Sequence, residues 1–205
     1  YEYKDKIKQY QIGDDLAQTE KIENIIEYIK KLDVAFPVLH GLYGEDGSIQ
    51  GMFELLNIPY VGCKILGSSL GMDKVYSKIM FEKAGIKQAK YEYIKKYNDK
   101  YIYVDKSLNE TIYNNIEEMC NLLEVNLNFP MFVKPSNSGS SVGINQAKNL
   151  KELKEYIKKA SEFDDKILIE ERVIGREIEC SVLGNEVVKV SCLRRNNTRW
   201  GILYI

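Results

Sequence analysis

An apolar run, Val34-Ala35-Phe36-Pro37-Val38-Leu39, opens straight into the loop His40-Gly41-Leu42-Tyr43-Gly44-Glu45-Asp46-Gly47-Ser48-Ile49-Gln50-Gly51. No other stretch restricts the fold as much. A short, unbroken apolar run predicts a strand buried on both faces, and such strands belong to parallel sheets. The loop then falls at the strand's C-terminal end, where open α/β sheets bind their ligands. Its glycines allow backbone to approach a ligand closely. From the residues alone, the loop reads equally well as a tight structural turn in which Asp46 or Ser48 caps the next helix.

The flanking pattern fits an open α/β sheet. Ile22, Ile25, Ile26, Ile29 and Leu32 recur at helical spacing and predict an amphipathic helix from Asp14 to Leu32. A helix over Ser48 to Leu56 and an extended piece from Asn57 to Gly62 follow. The next helix runs from Met72 to Ala84, with Val75, Ile79 and Phe81 or Met80 inward and Gly85 ending it. Tyr91 to Ile94 reads as a strand, and Lys95 to Ser107, without a period, as a surface insertion. Ile112, Ile116, Met119, Cys120 and Leu123 share a helical register. Met131 to Lys134 and Val142 to Ile144 predict a hairpin over a small-residue tip. Asn149 caps a helix from Leu150 to Ala160, and Lys166 to Glu171 is a strand. Glu177 to Cys192 is a hairpin turning at Gly184-Asn185.

The 205 residues, 44% hydrophobic and 29% charged, suit one large or two small soluble domains. No run is long enough to span a membrane. Twenty-nine basic against thirty acidic residues leave no excess charge to attract nucleic acid. Cys63, Cys120, Cys180 and Cys192 are widely spaced, with His40 as the sole histidine. They read as reduced thiols of a cytoplasmic protein, and no metal site is expected from them. The chain starts at Tyr1 with no signal peptide visible, as expected of a piece of a longer protein.

Two further segments carry chemistry. Phe132-Val133-Lys134-Pro135-Ser136-Asn137-Ser138-Gly139-Ser140-Ser141-Val142-Gly143 places a lysine at the end of a strand, ahead of a loop rich in exposed N–H groups. That arrangement suits phosphate, although the spacing is not GxxxxGK[ST]. The bland alternative is a serine-rich hairpin tip. In Leu168-Ile169-Glu170-Glu171-Arg172-Val173-Ile174-Gly175-Arg176-Glu177 a buried strand runs into a linker whose backbone edge suits adenine. Glu177 and Glu179 also read as a solvated strand face.

Three segments, HGxxGEDGxxQG at 40–51, MDK with Ser77-Lys78 at 72–78 and VKPxxxGSSVG at 133–143, resemble in sequence and order the D-alanine:D-alanine ligase family of the ATP-grasp superfamily. The resemblance covers residues 33–192. It implies an α/β protein: an N-terminal open parallel-sheet lobe at 1–71 that binds substrate, then an ATP-grasp domain at 72–205, incomplete at its C-terminus. It implies ATP as cosubstrate and phosphoryl transfer to a D-alanine carboxylate. A second D-amino acid then attacks the acyl phosphate, a step of peptidoglycan synthesis. By the same resemblance His40 lies near the carboxylate side of the first D-alanine, and Ser140 orients that substrate. Lys74, Lys134, Gly139, Ser140 and Ser141 meet the phosphates. Glu170, Glu171, Arg172 and Val173 line the adenine, and Glu177 meets the ribose. Relatives often carry Lys at 171; the Glu here should be tolerated because that contact runs through backbone. Glu45 and Asp46 look structural.

Mg2+ is also implied, with ligands expected beyond this chain, so the chain is expected to be inactive as it stands. The resemblance leaves open a D-serine or D-lactate acceptor, a non-catalytic nucleotide-binding remnant, and a homodimer of the full-length protein. Arg194 to Ile205 departs from the family's usual continuation, and a one-base frameshift would restore it; sequencing the gene tests that.

Overall fold

The computed structural model describes residues 24–139 and 142–195. By internal packing the chain divides into two compact units, Tyr1–Gly71 and Met72–Ile205.

In the first unit α1 (Ile25–Ile29) is capped by Asn24, whose side chain accepts from Glu27 N; the earlier part of the expected helix lies outside the described residues. The other helices are α2 (Ser48–Leu55) and α3 (Ile65–Met72). The last was not expected, since two glycines make its sequence a weak helix former. Its Ser69 Oγ donates to Asp46 O at 2.8 Å. Ile29, Ala35, Phe53 and Ile58 form the core.

Here the structure corrects the doubly buried strand. Ala35 alone pairs, in a parallel bridge to Tyr60, with Ala35 N donating to Pro59 O at 2.8 Å and Val61 N to Ala35 O at 2.9 Å. Val34, Phe36, Val38 and Leu39 are exposed. Pro37 has no N–H with which to extend the ladder, and among the described residues the run has this one bridged neighbour.

The second unit is built on a six-stranded antiparallel sheet. Its strands are β1 (Tyr91–Tyr97), β2 (Lys100–Val104), β3 (Glu110–Tyr113), β4 (Met131–Pro135), β5 (Asn145–Ala147) and β6 (Lys166–Glu171). They lie in the order β3-β2-β1-β6-β4-β5. The supposed insertion at 95–107 is therefore mostly sheet. Tyr101 and Val104 are buried, and Asn98 turns the chain with a positive φ. Ile112 belongs to β3 and not to the following helix, and the second strand of the loop-bearing hairpin starts at Asn145.

Before the sheet comes α4 (Lys74–Lys83), beginning after Asp73 and not at Met72. Val75 is its buried residue and Ile79 packs beside it, whereas Met80 and Phe81 are about half exposed, against expectation. Ten residues with one apolar row cover only a narrow strip of sheet, so those two stay outside it. Gly85 (φ +72°) ends the helix, with Gly85 N donating to Glu82 O and Ile86 N to Phe81 O, the paired bonds of a left-handed C-terminal stop.

Alternation along the strands separates two faces. Ile94, Met131, Val133, Ile167 and Ile169 face α5 (Ile116–Leu127) and α6 (Leu150–Ala160), which contribute Met119, Cys120, Leu123, Leu153 and Ile157 to one dry core. Burial pushes the Cys120 thiol up to about 12. Tyr91, Tyr93, Val104 and Leu168 point the other way, onto α4.

Beyond the sheet, β7 (Ile178–Glu179) pairs with β10 (Arg194–Arg195) and β8 (Val182–Gly184) with β9 (Val188–Val190). The turn is three residues, Asn185–Val187, because Gly184 is still opposite Val188. Residues 196–205, most of the proposed frameshifted tail, lie outside the described residues. No helix among the described residues is long and apolar enough to cross a membrane.

Candidate phosphate-binding site

On the α4 side of the sheet, charge is buried. Lys134 follows Phe132 by two residues, so both point to this face, and the β4–β6 register sets Phe132 opposite Glu170 and Lys134 opposite Leu168. Lys134 is 2% exposed, and its Nζ donates to Glu170 Oε1. Lys78, one turn along α4 from Lys74, reaches Glu170 Oε2 at 2.9 Å. Burial alone would raise the Glu170 carboxyl, but Lys134 and Lys78 outweigh it and hold the group below its ordinary value. Glu170 is thus a carboxylate shared by two ammonium groups.

Lys74 lies in the same field. Its Nζ donates to Ser138 O and, at 3.3 Å, to Ser136 O. Burial and the charge of Lys134 hold its pKa below that of an ordinary lysine. Two partly desolvated cations that repel each other form a place where an anion lowers the energy of both. The loop leaving β4 is tied to this point: Lys74 N donates to Ser136 O at 3.1 Å, and Ser136 N to Lys166 O at 2.9 Å.

Asp73 caps α4. Its Oδ1 accepts from Val75 N at 3.1 Å, Tyr76 N at 3.0 Å and Ser136 Oγ at 2.5 Å. Its Oδ2 accepts from Lys166 Nζ at 2.5 Å and Asn137 Nδ2 at 3.3 Å. Burial raises this carboxyl too, and the bonds from Lys166 and Ser136 more than reverse that, so it is held below its ordinary value.

The structure therefore brings Lys74, Lys134 and Glu170 into one cluster, with Gly139 half-buried in the adjoining loop. Ser140 and Ser141 lie outside the described residues. Glu171 turns elsewhere: its Oε1 accepts from Lys90 N at 2.8 Å and its own N–H donates to Lys90 O at 3.0 Å. This carboxylate bonds backbone beside β1. Arg172 and Val173 are exposed beyond β6, and Glu177 is half-buried just before β7. Sequence reading gave no role to Lys78 and took Asp73 as motif context. Lys78 had a readable signal, its spacing of four residues from Lys74 on one helix.

In the first unit the loop after Leu39 is a tight turn held by its own acidic side chains, but the cap of α2 is Gly47, with no side-chain cap bond, and not Asp46 or Ser48. Gly41 N donates to Glu45 Oε2 at 2.5 Å, and Tyr43 N and Ser48 N to the Asp46 carboxylate at 2.8 and 2.9 Å. Gln50 Nε2 donates to Gly44 O at 3.0 Å. At Gly47 (φ +97°) a Cβ would come within 2.5 Å of Ser69 Oγ, so only glycine fits. His40 is exposed.

A divalent cation does not fit the described residues. No three acidic, cysteine or histidine side chains among them gather closely enough to hold a metal ion. The two buried carboxylates are already taken, Glu170 by Lys134 and Lys78, Asp73 by Lys166 and Ser136.

Comparison with known proteins places the whole sequence among its relatives. A family model described as D-ala D-ala ligase C-terminus matches residues 80–202, and one described as D-ala D-ala ligase N-terminus matches residues 2–63. A D-alanine--D-alanine ligase of Acetivibrio thermocellus is 52% identical over 160 residues, 78% of this chain and 39% of that protein. One from Clostridium acetobutylicum is 46% identical over 166 residues, 81% of this chain and 45% of that protein. Among solved structures, the D-alanine-D-alanine ligase from Coxiella burnetii superposes with a TM-score of 0.70 at 32% identity, covering 82% of this chain and 45% of its own. The VanG D-Ala:D-Ser ligase from Enterococcus faecalis does so with a TM-score of 0.68 at 38% identity, covering 80% and 43%. The chain spans less than half the length of these relatives.

Proposed function

This chain belongs to the D-alanine–D-alanine ligase family, and from that premise we propose that it is the nucleotide-holding part of an ATP-dependent ligase joining two D-amino acids. In this reading residues 1–71 form the substrate lobe and residues 72–205 the ATP-grasp domain. The observation that carries it is the buried Lys134 at the end of β4, with Lys74 beside it and a serine-glycine loop directly after. The two lysines hold the phosphates, and Gly139, Ser140 and Ser141 cover the terminal one against water. Glu170 holds the Lys134 side chain in place, and its backbone with that of Glu171, Arg172 and Val173 lies along the adenine. Glu177 meets the ribose. His40 holds the carboxylate side of the first D-alanine.

In the reaction an oxygen of the D-alanine carboxylate attacks the terminal phosphorus of ATP and ADP leaves. The amine of the second amino acid then displaces phosphate from the acyl phosphate. The chain's share of this chemistry is charge neutralisation and alignment. Mg2+ serves the family reaction, but the described carboxylates do not fit it, so this chain should bind ATP without turning it over. The likeness to the D-Ala:D-Ser ligase supports D-serine as a second acceptor. A ligase of this kind works in the cytoplasm, where ATP is.

The test is equilibrium binding of ATP to the parent chain and to Lys134→Ala, beside an ADP-release assay with Mg2+, D-alanine and D-serine. Binding lost in the variant, with no ADP released, is the expected result. A folded parent chain that does not bind ATP would overturn the reading, and ADP release dependent on one amino acid would overturn the inactivity and name the acceptor.

A further inference from the structure

Capping a helix requires one oxygen of Asp73, and Oδ1 meets that need at Val75 N and Tyr76 N. The remaining bonds exceed it. Ser136 Oγ, Asn137 Nδ2 and Lys166 Nζ all donate to the same carboxylate. It therefore joins the start of α4, the two residues that lead from β4 into the loop, and the first residue of β6. Asn137 is gripped a second time, its N–H donating to Asp164 Oδ2 at 2.6 Å. Asp73 neighbours Lys74 in the chain, and Ser136 lies two residues past Lys134. Joining Asp73 to Ser136 thus fixes the separation between the two lysine-bearing segments.

We propose that Asp73 is a positioning residue for phosphate binding: its carboxylate sets the root of the 136–143 loop and the spacing of Lys74 from Lys134. This rests on the nucleotide reading above. Asp73 touches no phosphate; it acts through Ser136, Asn137 and Lys166. Its effect has a direction that simple charge does not share. Removing a negative charge near a phosphate site should strengthen anion binding by Coulomb's law, whereas losing the clamp should weaken it. Losing the alignment of one hydrogen bond to a charged phosphate is enough for a loss of about tenfold or more.

The experiment measures ATP and AMP affinities of the 205-residue chain, Asp73→Asn, Ser136→Ala and Lys134→Ala, with circular dichroism and thermal melting of each. The Asn variant keeps a capping oxygen but gives Lys166 no counter-charge. It is expected to bind ATP about tenfold more weakly and AMP within about twofold of the parent. Ser136→Ala, which leaves the charge unaltered, should show a smaller loss of the same ATP-selective kind. Tighter or unchanged ATP binding in Asp73→Asn, or equal losses for ATP and AMP, would overturn the positioning role. If Lys134→Ala loses ATP while Asp73→Asn does not, the positioning role alone fails. If the parent chain does not bind ATP, the nucleotide reading fails and this inference with it.

Discussion

The two faces of the six-stranded sheet come from the same strands yet differ in how they are held. On β6 the dry side is Ile167 and Ile169, fully buried against α5 and α6. The other side is Lys166, Leu168 and Glu170, where a small apolar patch is ringed by ion pairs. The dry face gains from burial and close packing, which need neighbours of matching volume but no directed polar partner. Buried ion pairs yield little net stability, because desolvation consumes most of the attraction. A sheet can carry charge on one face when the other is dry enough to hold it.

Four changes would break or sharpen that contrast. Ile169→Ala, which opens a cavity in the dry core, should cost about 3–4 kcal/mol in urea unfolding; a loss under about 1 kcal/mol would remove the asymmetry. Next is Glu170→Ala, expected to cost about 3 kcal/mol because the ion pairs of this carboxylate with Lys134 and Lys78 are both lost on a buried face. Lys134→Met should cost less than Glu170→Ala, within about 1–2 kcal/mol of the parent, since Glu170 keeps Lys78; equal losses would mean that charge holds this face as firmly as packing holds the other. The smallest effect, about 1 kcal/mol, is expected for Asn149→Ala, whose side chain caps α6 by accepting from Glu152 N at 3.0 Å.

Acid should separate the faces as well. Asp73 and Glu170 have carboxyls below their unfolded values. Their contribution is therefore complete above the unfolded carboxylate range of about 4. It is lost as pH falls through the lower folded values, where protonation is coupled to unfolding. Thermal melts from pH 6 downwards should fall more steeply in the parent chain than in Asp73→Asn. Parallel curves would show that Asp73 contributes nothing through its charge.

Much of this was legible in the sequence where a single period ruled. Ile167 and Ile169 alternate with Lys166 and Leu168, and Asn149 precedes a clean helical stripe, so β6 and α6 read correctly to the residue. Lys100-Tyr101-Ile102-Tyr103-Val104 did not, because each tyrosine pairs a polar tip with an apolar body and masks the alternation. Val34 to Leu39 misled for the opposite reason: apolarity suggested burial, but neighbours supply burial, and the described segment has one. At the site, Lys134 was recognisable from the loop it precedes. That it shares Glu170 with Lys78 was not: the spacing of Lys78 from Lys74 sets only a helix face, and the pairing of β4 with β6 beside α4 supplies the carboxylate.

The strand order has a bearing on the chain as it leaves the ribosome. By Ala147 the sequence has supplied the strands of a meander, β1 to β3, and of a hairpin, β4 with β5, but not the strand that lies between them in the sheet. Each half presents an open edge, β1 on one and β4 on the other. β6 is synthesised next and lies between them, pairing with Tyr91–Lys95 on one side and Met131–Pro135 on the other. Glu170 rides on that strand, so the insertion that closes the sheet also delivers the partner of Lys134. The strand that completes the six-stranded sheet and the carboxylate that completes its charged cluster thus come from one segment, ahead of β7 to β10.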